Sequence, residues 1–149
     1  MWQVHLVRLR GAYRFGTRRI EPRANLQVRK LVKKFLNLAF YIASAWSLFI
    51  VSLVVLNIEW ALPRAAGGQF EVFPLWLRLL YIVNVALLSL QIFAYAKQRL
   101  RMLQFFFWLS LVSAAVNLIS RSPIERWNAL PAAISAFSIF VLMRDFRKV

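Results

Sequence analysis

The chain has 149 residues, of which 61% are hydrophobic, and 20 lysines and arginines against five acidic residues give it a net charge of +15. Cysteine is absent and His5 is the single histidine, which excludes disulfides, iron–sulfur clusters, thiolate zinc sites and any paired-imidazole site for haem or catalytic zinc. We therefore expect no metal site, no catalytic residues and no cofactor of the chain's own. Bound lipid, or a cofactor shared with a partner subunit, is compatible with this composition.

The first 34 residues are predicted to form a basic N-terminal tail that ends in an amphipathic juxtamembrane helix. Ten of the twenty basic residues precede Phe35, where Glu21 is the single acid. Pro22 suits the first turn of a helix that continues into the first apolar run. Apolar residues alternate there with basic ones, whose long side chains can reach lipid headgroups. The residues expected to contact anionic lipids or a partner are Arg18, Arg19, Arg29, Lys30, Lys33 and Lys34.

Four apolar runs follow the tail and are predicted to be transmembrane helices. At ~1.5 Å per residue, each crosses or nearly crosses a hydrocarbon core of ~30 Å. The fourth is short unless its helix begins at Ser122-Pro123-Ile124-Glu125, which offers an N-cap serine, a proline at the first helical position and a glutamate placed for a capping box. Pro131 is expected to bend this helix. The predicted spans are about residues 35–58, 75–96, 102–119 and 123–143.

The sequence thus predicts an all-α integral membrane protein in which residues 35–149 form one domain, a bundle of four transmembrane helices. The long connection, residues 59–73, contains Pro63, Gly67 and Gly68 and is expected to be irregular. Residues 97–101 must form a hairpin turn, because the uninterrupted stretch around them is too long for one span, although they contain neither glycine nor proline.

The charges of the connections predict the orientation. Residues 97–101 carry three basic residues, and the segment from Arg144 to the end carries three basic and one acidic. Residues 59–73 carry one basic and two acidic residues, and residues 120–126 carry two basic and one acidic. Because basic residues are retained in the cytoplasm, both termini and residues 97–101 are expected there. The predicted location is the bacterial inner membrane or its organellar equivalent.

Polar residues inside the predicted spans fall on one face of each helix. Two interpretations fit this pattern. In the first, small side chains allow close helix packing, and amides and hydroxyls form hydrogen bonds between helices. In the second, Asn84, Gln91 and Asn117 line a polar crevice for an ion, a quinone or a lipid headgroup. The candidates for either role are Tyr81, Asn84, Gln91, Tyr95, Ser113, Asn117, Ser135 and Ser138.

No ionisable residue occupies the middle of a span, which disfavours proton-coupled transport. The chain also lacks a glycine-rich phosphate loop and a serine with an activating histidine, so no enzyme is expected. Glutamates and arginines do gather on the non-cytoplasmic side, where a local ion-pair cluster is expected rather than an acid–base site. These residues are Glu59, Glu71, Glu125, Arg64 and Arg126.

Three functional hypotheses remain. The first is a non-catalytic accessory subunit of a larger membrane complex, which stabilises assembly and contacts partner subunits and lipid. The alternative is a small oligomeric channel or carrier in which the polar stripe of the second helix faces a shared pore. In the third, the tail docks a ribosome, nucleic acid or an acidic protein. Membrane electrostatics explains the same basic residues, so the expected partners are membrane subunits and anionic lipids rather than nucleic acid.

Overall fold

The computed structural model describes residues 23–146, and every regular element in that range is helical. The predicted contact residues Arg18 and Arg19 lie outside the described residues. The elements in chain order are α1 (Arg23–Val55), two 3₁₀ turns (Glu59–Arg64 and Ala66–Gly68), α2 (Leu75–Ala96), α3 (Leu100–Leu118), α4 (Pro123–Arg126) and α5 (Ala129–Phe146).

Four helical stretches are long and apolar enough to cross a membrane, with mean hydropathies of 2.2, 1.9, 1.3 and 1.5. They confirm the predicted number of spans by length and composition, and they indicate an integral membrane protein. The second span agrees with the prediction at both ends. The stretches are Gln27–Val55, Leu75–Ala96, Leu100–Leu118 and Pro123–Phe146.

Two helices end in turns made by non-glycine residues in the left-handed conformation. Asn57 (φ +58°) follows α1, and Gln98 (φ +52°) follows α2. After α2, the amide of Arg99 donates to the carbonyl of Ala94 over 3.0 Å, and that of Gln98 donates to Tyr95 over 3.2 Å. This pair of hydrogen bonds is a Schellman ending. It forms the predicted hairpin turn between α2 and α3 without glycine or proline.

The fourth span is interrupted, which differs from the single helix predicted from Pro123 onward. Trp127 and Asn128 separate α4 from α5. Pro131 has no amide hydrogen to donate to the carbonyl of Trp127 four residues earlier, so a continuous helix would lack this bond. Leu130 donates to Trp127 instead, over 3.2 Å. Pro131 therefore lies in the first turn of α5 and does not bend the middle of the span.

The predicted capping box at α4 is half formed. Ser122 Oγ accepts a hydrogen bond from the amide of Glu125 over 3.3 Å, as an N-cap serine should. The reciprocal bond from the Ser122 amide goes to Ser120 Oγ, over 3.2 Å, and not to Glu125. The Glu125 carboxylate instead turns to the connection between α1 and α2, where Oε2 accepts from the Gly67 amide over 2.8 Å.

The helices surround two hydrophobic clusters at different levels. α1 packs along α2 and α5, and α3 packs along α5, whereas α2 and α3 share few contacts. We call the level of the α2–α3 turn the turn half, and the level of the other two connections the loop half. The turn-half cluster contains Phe40, Ala94, Tyr95, Leu103, Phe106, Ile139 and Met143. The loop-half cluster contains Val54, Ala61, Leu62, Ala65, Phe73 and Leu77.

Candidate functional site

A cavity of about 420 Å³ lies between α1, α2, α3 and α5 in the loop half. Its volume falls within the ~300–1,000 Å³ that is typical of small-molecule sites. Tyr81 and Gln91 both line it. Ten residues of helix separate them, or ~15 Å, so the cavity reaches about halfway through a hydrocarbon core of ~30 Å. Its polar lining residues are Ser47, Arg64, Tyr81, Asn84, Gln91, Ser113, Asn117, Glu125, Asn128 and Ser135.

The turn-half cluster closes the inner end of the cavity. Ala94 and Tyr95 follow Gln91 by one turn of α2, and both are buried. The ring of Tyr95 stacks on that of Phe40, with 3.7 Å between the ring centroids. Phe106, one turn before the lining residues of α3, is 1% exposed. The cavity therefore ends on a floor of packed aromatic and aliphatic side chains.

The cavity opens sideways between α2 and α3. Lining residues on these two helices include Val83 and Val112, whose side chains are 55% and 58% exposed. Lining residues on α1 and α5 are more enclosed, and Ile50 and Ser135 are buried. Since α2 and α3 are joined by a tight turn at the far end, the opening between them faces the surrounding hydrocarbon at the level of the loop half.

Six of the eight candidate residues predicted from the sequence line this cavity. They come from three helices, so the structure brings together residues that lie up to 54 positions apart in the chain, from Tyr81 to Ser135. Tyr95 and Ser138 lie elsewhere. The six are Tyr81, Asn84, Gln91, Ser113, Asn117 and Ser135.

The polar side chains that line the cavity form few hydrogen bonds within the protein. The hydroxyl of Tyr81 accepts from the amide of Ala66 over 3.2 Å, and Asn117 is 3.5 Å from Ser113 Oγ on the preceding turn of the same helix. Within residues 23–146, no group forms a hydrogen bond with the side-chain amide of Asn84 or Gln91. An unpaired polar group at membrane depth costs ~1–3 kcal/mol, so these amides are available to bind a ligand or water.

Arg64 occupies the end of the cavity nearest the loop. Its guanidinium carbon lies 4.2 Å from the ring centroid of Trp60, and its carbonyl accepts from Asn128 Nδ2 over 3.0 Å. Its Nε is buried and has no hydrogen-bond partner. No carboxylate among the described residues forms an ion pair with Arg64, although Glu125 lines the same cavity. The guanidinium is thus held in place with donors still available.

Glu125 links two connections at the same end. Its Oε2 accepts from the amide of Gly67 in the α1–α2 connection and from the hydroxyl of Ser120, which follows α3. Gly67 has φ +71°, a conformation that glycine adopts without strain. Oε1 accepts no hydrogen bond from any residue in the described range. One carboxylate oxygen is therefore structural and the other is open.

The prediction of a local ion-pair cluster on this side of the protein is wrong. Among the residues that the structure describes, none of the three glutamates forms an ion pair with Arg64 or Arg126. Glu125 is occupied by Gly67 and Ser120, and Arg126 Nε donates to the carbonyl of Ser120 over 2.8 Å. The partners of Glu125 and Arg126 are thus backbone groups and a serine hydroxyl of the connections, and not residues of opposite charge.

The remaining candidates surround a second cavity, of about 330 Å³, at the opposite end of the protein. Here Tyr95 donates to Asn37 Oδ1 over 2.7 Å, and Ser138 donates to a carbonyl of α1 over 3.4 Å. Lys33 Nζ lies 2.7 Å from Asp145 Oδ2 and ties α1 to the end of α5. These contacts join helices, as the packing interpretation predicts. Arg29, Lys30 and Lys34 lie on exposed positions of α1.

Sequence reasoning did not place Arg64 with the polar residues of the spans. Arg64 lies in the long connection, and polar residues in such places usually face solvent. Trp60, four residues before Arg64, was a usable signal, because an aromatic ring beside a guanidinium can hold it at an interface. The sequence alone does not indicate that the connection folds back over the helices.

No group of three or more histidines, aspartates or glutamates that could hold a metal ion occurs in residues 23–146. Comparison of the chain with protein-family models, with curated proteins and with solved structures found no match. The role of the cavity therefore has to follow from its own geometry.

Proposed function

We propose that the chain is a non-catalytic accessory subunit of a larger membrane complex, in which it stabilises assembly and contacts partner subunits and lipid. The observation that supports this most directly is that polar contacts join separate segments of the chain. Ser122 Oγ donates to the carbonyl of Pro63 over 2.6 Å, and Glu125 bonds Gly67. Hydroxyl and carboxylate groups that a catalytic site would need are engaged in holding connections together.

A partner subunit is supported by an exposed amide on the outer surface. Gln104 lies one turn inside α3, is exposed, and has no hydrogen bond with any described residue. An amide that faces lipid lacks hydrogen-bond partners, and a transmembrane helix of a partner subunit can supply them. Trp108, one turn further along the same face of α3, is 65% exposed and would add apolar contact area.

Purification of the tagged full chain from native membranes in a mild detergent tests this proposal. We expect particles well above the 17.4 kDa of one chain, with the same further polypeptides at fixed stoichiometry in independent preparations. Gln104→Leu should weaken their retention, whereas Phe105→Leu, on the neighbouring face, should not. A monodisperse single chain that supports normal growth of the deletion strain would contradict the accessory role.

The proposal includes a four-helix transmembrane bundle with both termini in the cytoplasm of a bacterial inner membrane or its equivalent. The charge distribution supports this orientation. Single cysteines at Gln69 and Gln98, both exposed, can be tested with an impermeant thiol reagent in intact cells. Labelling at position 69 alone is expected. Labelling at position 98 alone would reverse the orientation, and equal labelling would contradict the hairpin of α2 and α3.

The alternative function, a channel or carrier, is favoured by one observation, which is that five polar residues of α2 and α3 line a single cavity. These residues are Tyr81, Asn84, Gln91, Ser113 and Asn117. They lie within one chain, so a pathway would not require the shared pore of an oligomer. The test is flux through the reconstituted protein. The double substitution Asn84→Leu with Gln91→Leu should abolish this flux, and Leu79→Ala, on the exposed side of α2, should retain it. This result would favour a channel or carrier over the accessory role.

A further inference from the structure

Arg64 and Glu125 place one positive and one negative group at the same end of the cavity without pairing them. The guanidinium is held against Trp60 and retains an unpartnered Nε. The carboxylate is held by Gly67 through Oε2 and retains Oε1. A ligand that carries both signs can pair with both fixed charges at once, whereas a ligand of one sign would leave one of them without a counter-charge.

The position of the two charges restricts the ligand further. They lie in the connections, at the ends of α1, α2, α3 and α5, where lipid headgroups meet the hydrocarbon. From there the cavity extends inward over about half the membrane and opens to hydrocarbon between α2 and α3. Val83 and Val112 line opposite sides of the opening, next to the exposed polar residues Asn84 and Ser113. A ligand with a charged head and an apolar tail, entering from the adjacent leaflet, fits this shape.

We propose that the cavity binds a phospholipid with a zwitterionic, primary-amine headgroup, which is phosphatidylethanolamine. The phosphate lies on Arg64, whose forked N–H donors match phosphate oxygens. The ammonium donates to Glu125, and one acyl chain follows the opening between α2 and α3. The unpaired amide of Asn84 lies below the charges and can donate to an ester carbonyl. This inference rests on the membrane-spanning arrangement proposed above but not on the accessory role.

The same geometry distinguishes phosphatidylethanolamine from the other common bilayer lipids. Phosphatidylglycerol carries a phosphate but no ammonium, so it offers the Glu125 carboxylate no positive partner. Phosphatidylserine carries an ammonium and also a carboxylate, which Glu125 would meet with like charge. Phosphatidylcholine carries a quaternary ammonium, which has no N–H to donate to the open Oε1. Only the primary amine satisfies both Arg64 and Glu125 by charge and by hydrogen bonding.

Lipid retention by the purified full chain tests the inference. The protein is reconstituted into nanodiscs that contain phosphatidylethanolamine, phosphatidylglycerol and phosphatidylcholine in equal amounts, extracted into detergent and washed, and its bound lipid is quantified by mass spectrometry. We expect phosphatidylethanolamine to be enriched about tenfold over either competitor, as one additional charge-assisted hydrogen bond implies. Equal retention of the three lipids, or enrichment of another lipid, would overturn the proposal.

Two substitutions separate binding from folding. Glu125→Gln keeps an acceptor for Gly67 but removes the negative charge, so the preference should change to phosphatidylglycerol, a gain that misfolded protein cannot produce. Glu71→Gln, at an exposed glutamate of the α1–α2 connection that does not line the cavity, should leave the preference unchanged. An unchanged preference in Glu125→Gln would contradict the headgroup assignment.

The arginine is tested in the same assay. Arg64→Gln should reduce retention of all three phospholipids about tenfold, because each carries a phosphate. Arg121→Gln, an exposed arginine beyond α3 that does not line the cavity, is the matched control. The lipid assay uses the single purified chain, so it does not depend on partner subunits. Loss of the lipid preference with normal recovery of partner subunits would reject the lipid site alone. The expected lipid preference without any recovered partner would reject only the accessory role.

Discussion

The turn half and the loop half of the protein are built from the same four helices, but they differ in what occupies the space between them. In the turn half, Phe40, Leu103 and Ile139 are fully buried and fill the interior. In the loop half, the helices separate around a cavity, and the loop-half cluster packs the folded connection against the ends of α1 and α2. Stability is therefore expected to come mainly from the turn half, while the loop half has space for a ligand.

The largest effect should follow from removing the ring at the centre of the turn half. Phe40→Ala deletes a fully buried side chain that stacks on Tyr95, so it should lower the free energy of unfolding by ~3–5 kcal/mol. Phe35→Ala removes the same ring from an exposed position of the same helix and should change stability by less than ~0.5 kcal/mol. Reversible unfolding in mixed micelles measures both. Equal effects would contradict the contrast between buried and exposed faces of α1.

A second pair of substitutions compares the two halves directly by adding volume. Ala94→Leu inserts three carbons beside fully buried neighbours in the turn half and should cost ~1–3 kcal/mol through overpacking. Ala132→Leu adds the same atoms on α5, where they can project into the cavity, and should be neutral within ~0.5 kcal/mol. The same unfolding assay applies. A cost at Ala132 as large as that at Ala94 would mean that the cavity is not open space.

An intermediate effect is expected at the connection that covers the loop half. Ser122→Ala removes both the N-cap bond to the Glu125 amide and the bond to the carbonyl of Pro63, so it should cost ~1–2 kcal/mol. Ser89→Ala is the control, because the Ser89 hydroxyl is exposed and bonds only the carbonyl of Val85 in its own helix. Thermal unfolding followed by tryptophan fluorescence measures the difference. Similar losses in both variants would show that the bridge between connections adds no stability.

The smallest effect should come from the ion pair at the mouth of the turn half. The side chains of Lys33 and Asp145 are 57% and 33% exposed, so solvent screens their attraction. Asp145→Asn should therefore lower the free energy of unfolding by less than ~1 kcal/mol, and this loss should shrink as salt is added. The measurement is the free energy of unfolding of Asp145→Asn and of the unsubstituted protein at low and high ionic strength. A loss that is independent of salt would indicate that Asp145 acts through a contact other than this pair.

The sequence predicted the spans well because hydropathy and length decide them. It also placed Tyr81, Asn84 and Gln91 on one face of α2, since the helical repeat alone determines that relation. It did not predict that these amides would line an open space, because the separation of α2 from α3 depends on tertiary packing. Of the two interpretations of the polar stripes, the contacts of Tyr95 and Ser138 with α1 fit helix packing.

The connections were predicted less well, for two physical reasons. Residues 59–73 were expected to be irregular because of Pro63, Gly67 and Gly68, but most of this stretch forms 3₁₀ turns, which need fewer consecutive helical bonds than an α-helix. The break before α5 was not foreseen either. The missing amide of Pro131 has its effect four residues earlier, at Trp127, where composition alone gives no signal.

The stacked floor beneath the cavity also determines how well the protein insulates the membrane. Phe40, Tyr95 and Phe106 separate the polar lining from the turn-half surface, and an ion that reached Gln91 would next meet a layer of buried, mostly apolar side chains. Transfer of a bare charge into such a layer is strongly unfavourable. We therefore expect the protein to bind the proposed lipid without becoming a leak for an ion gradient across its membrane.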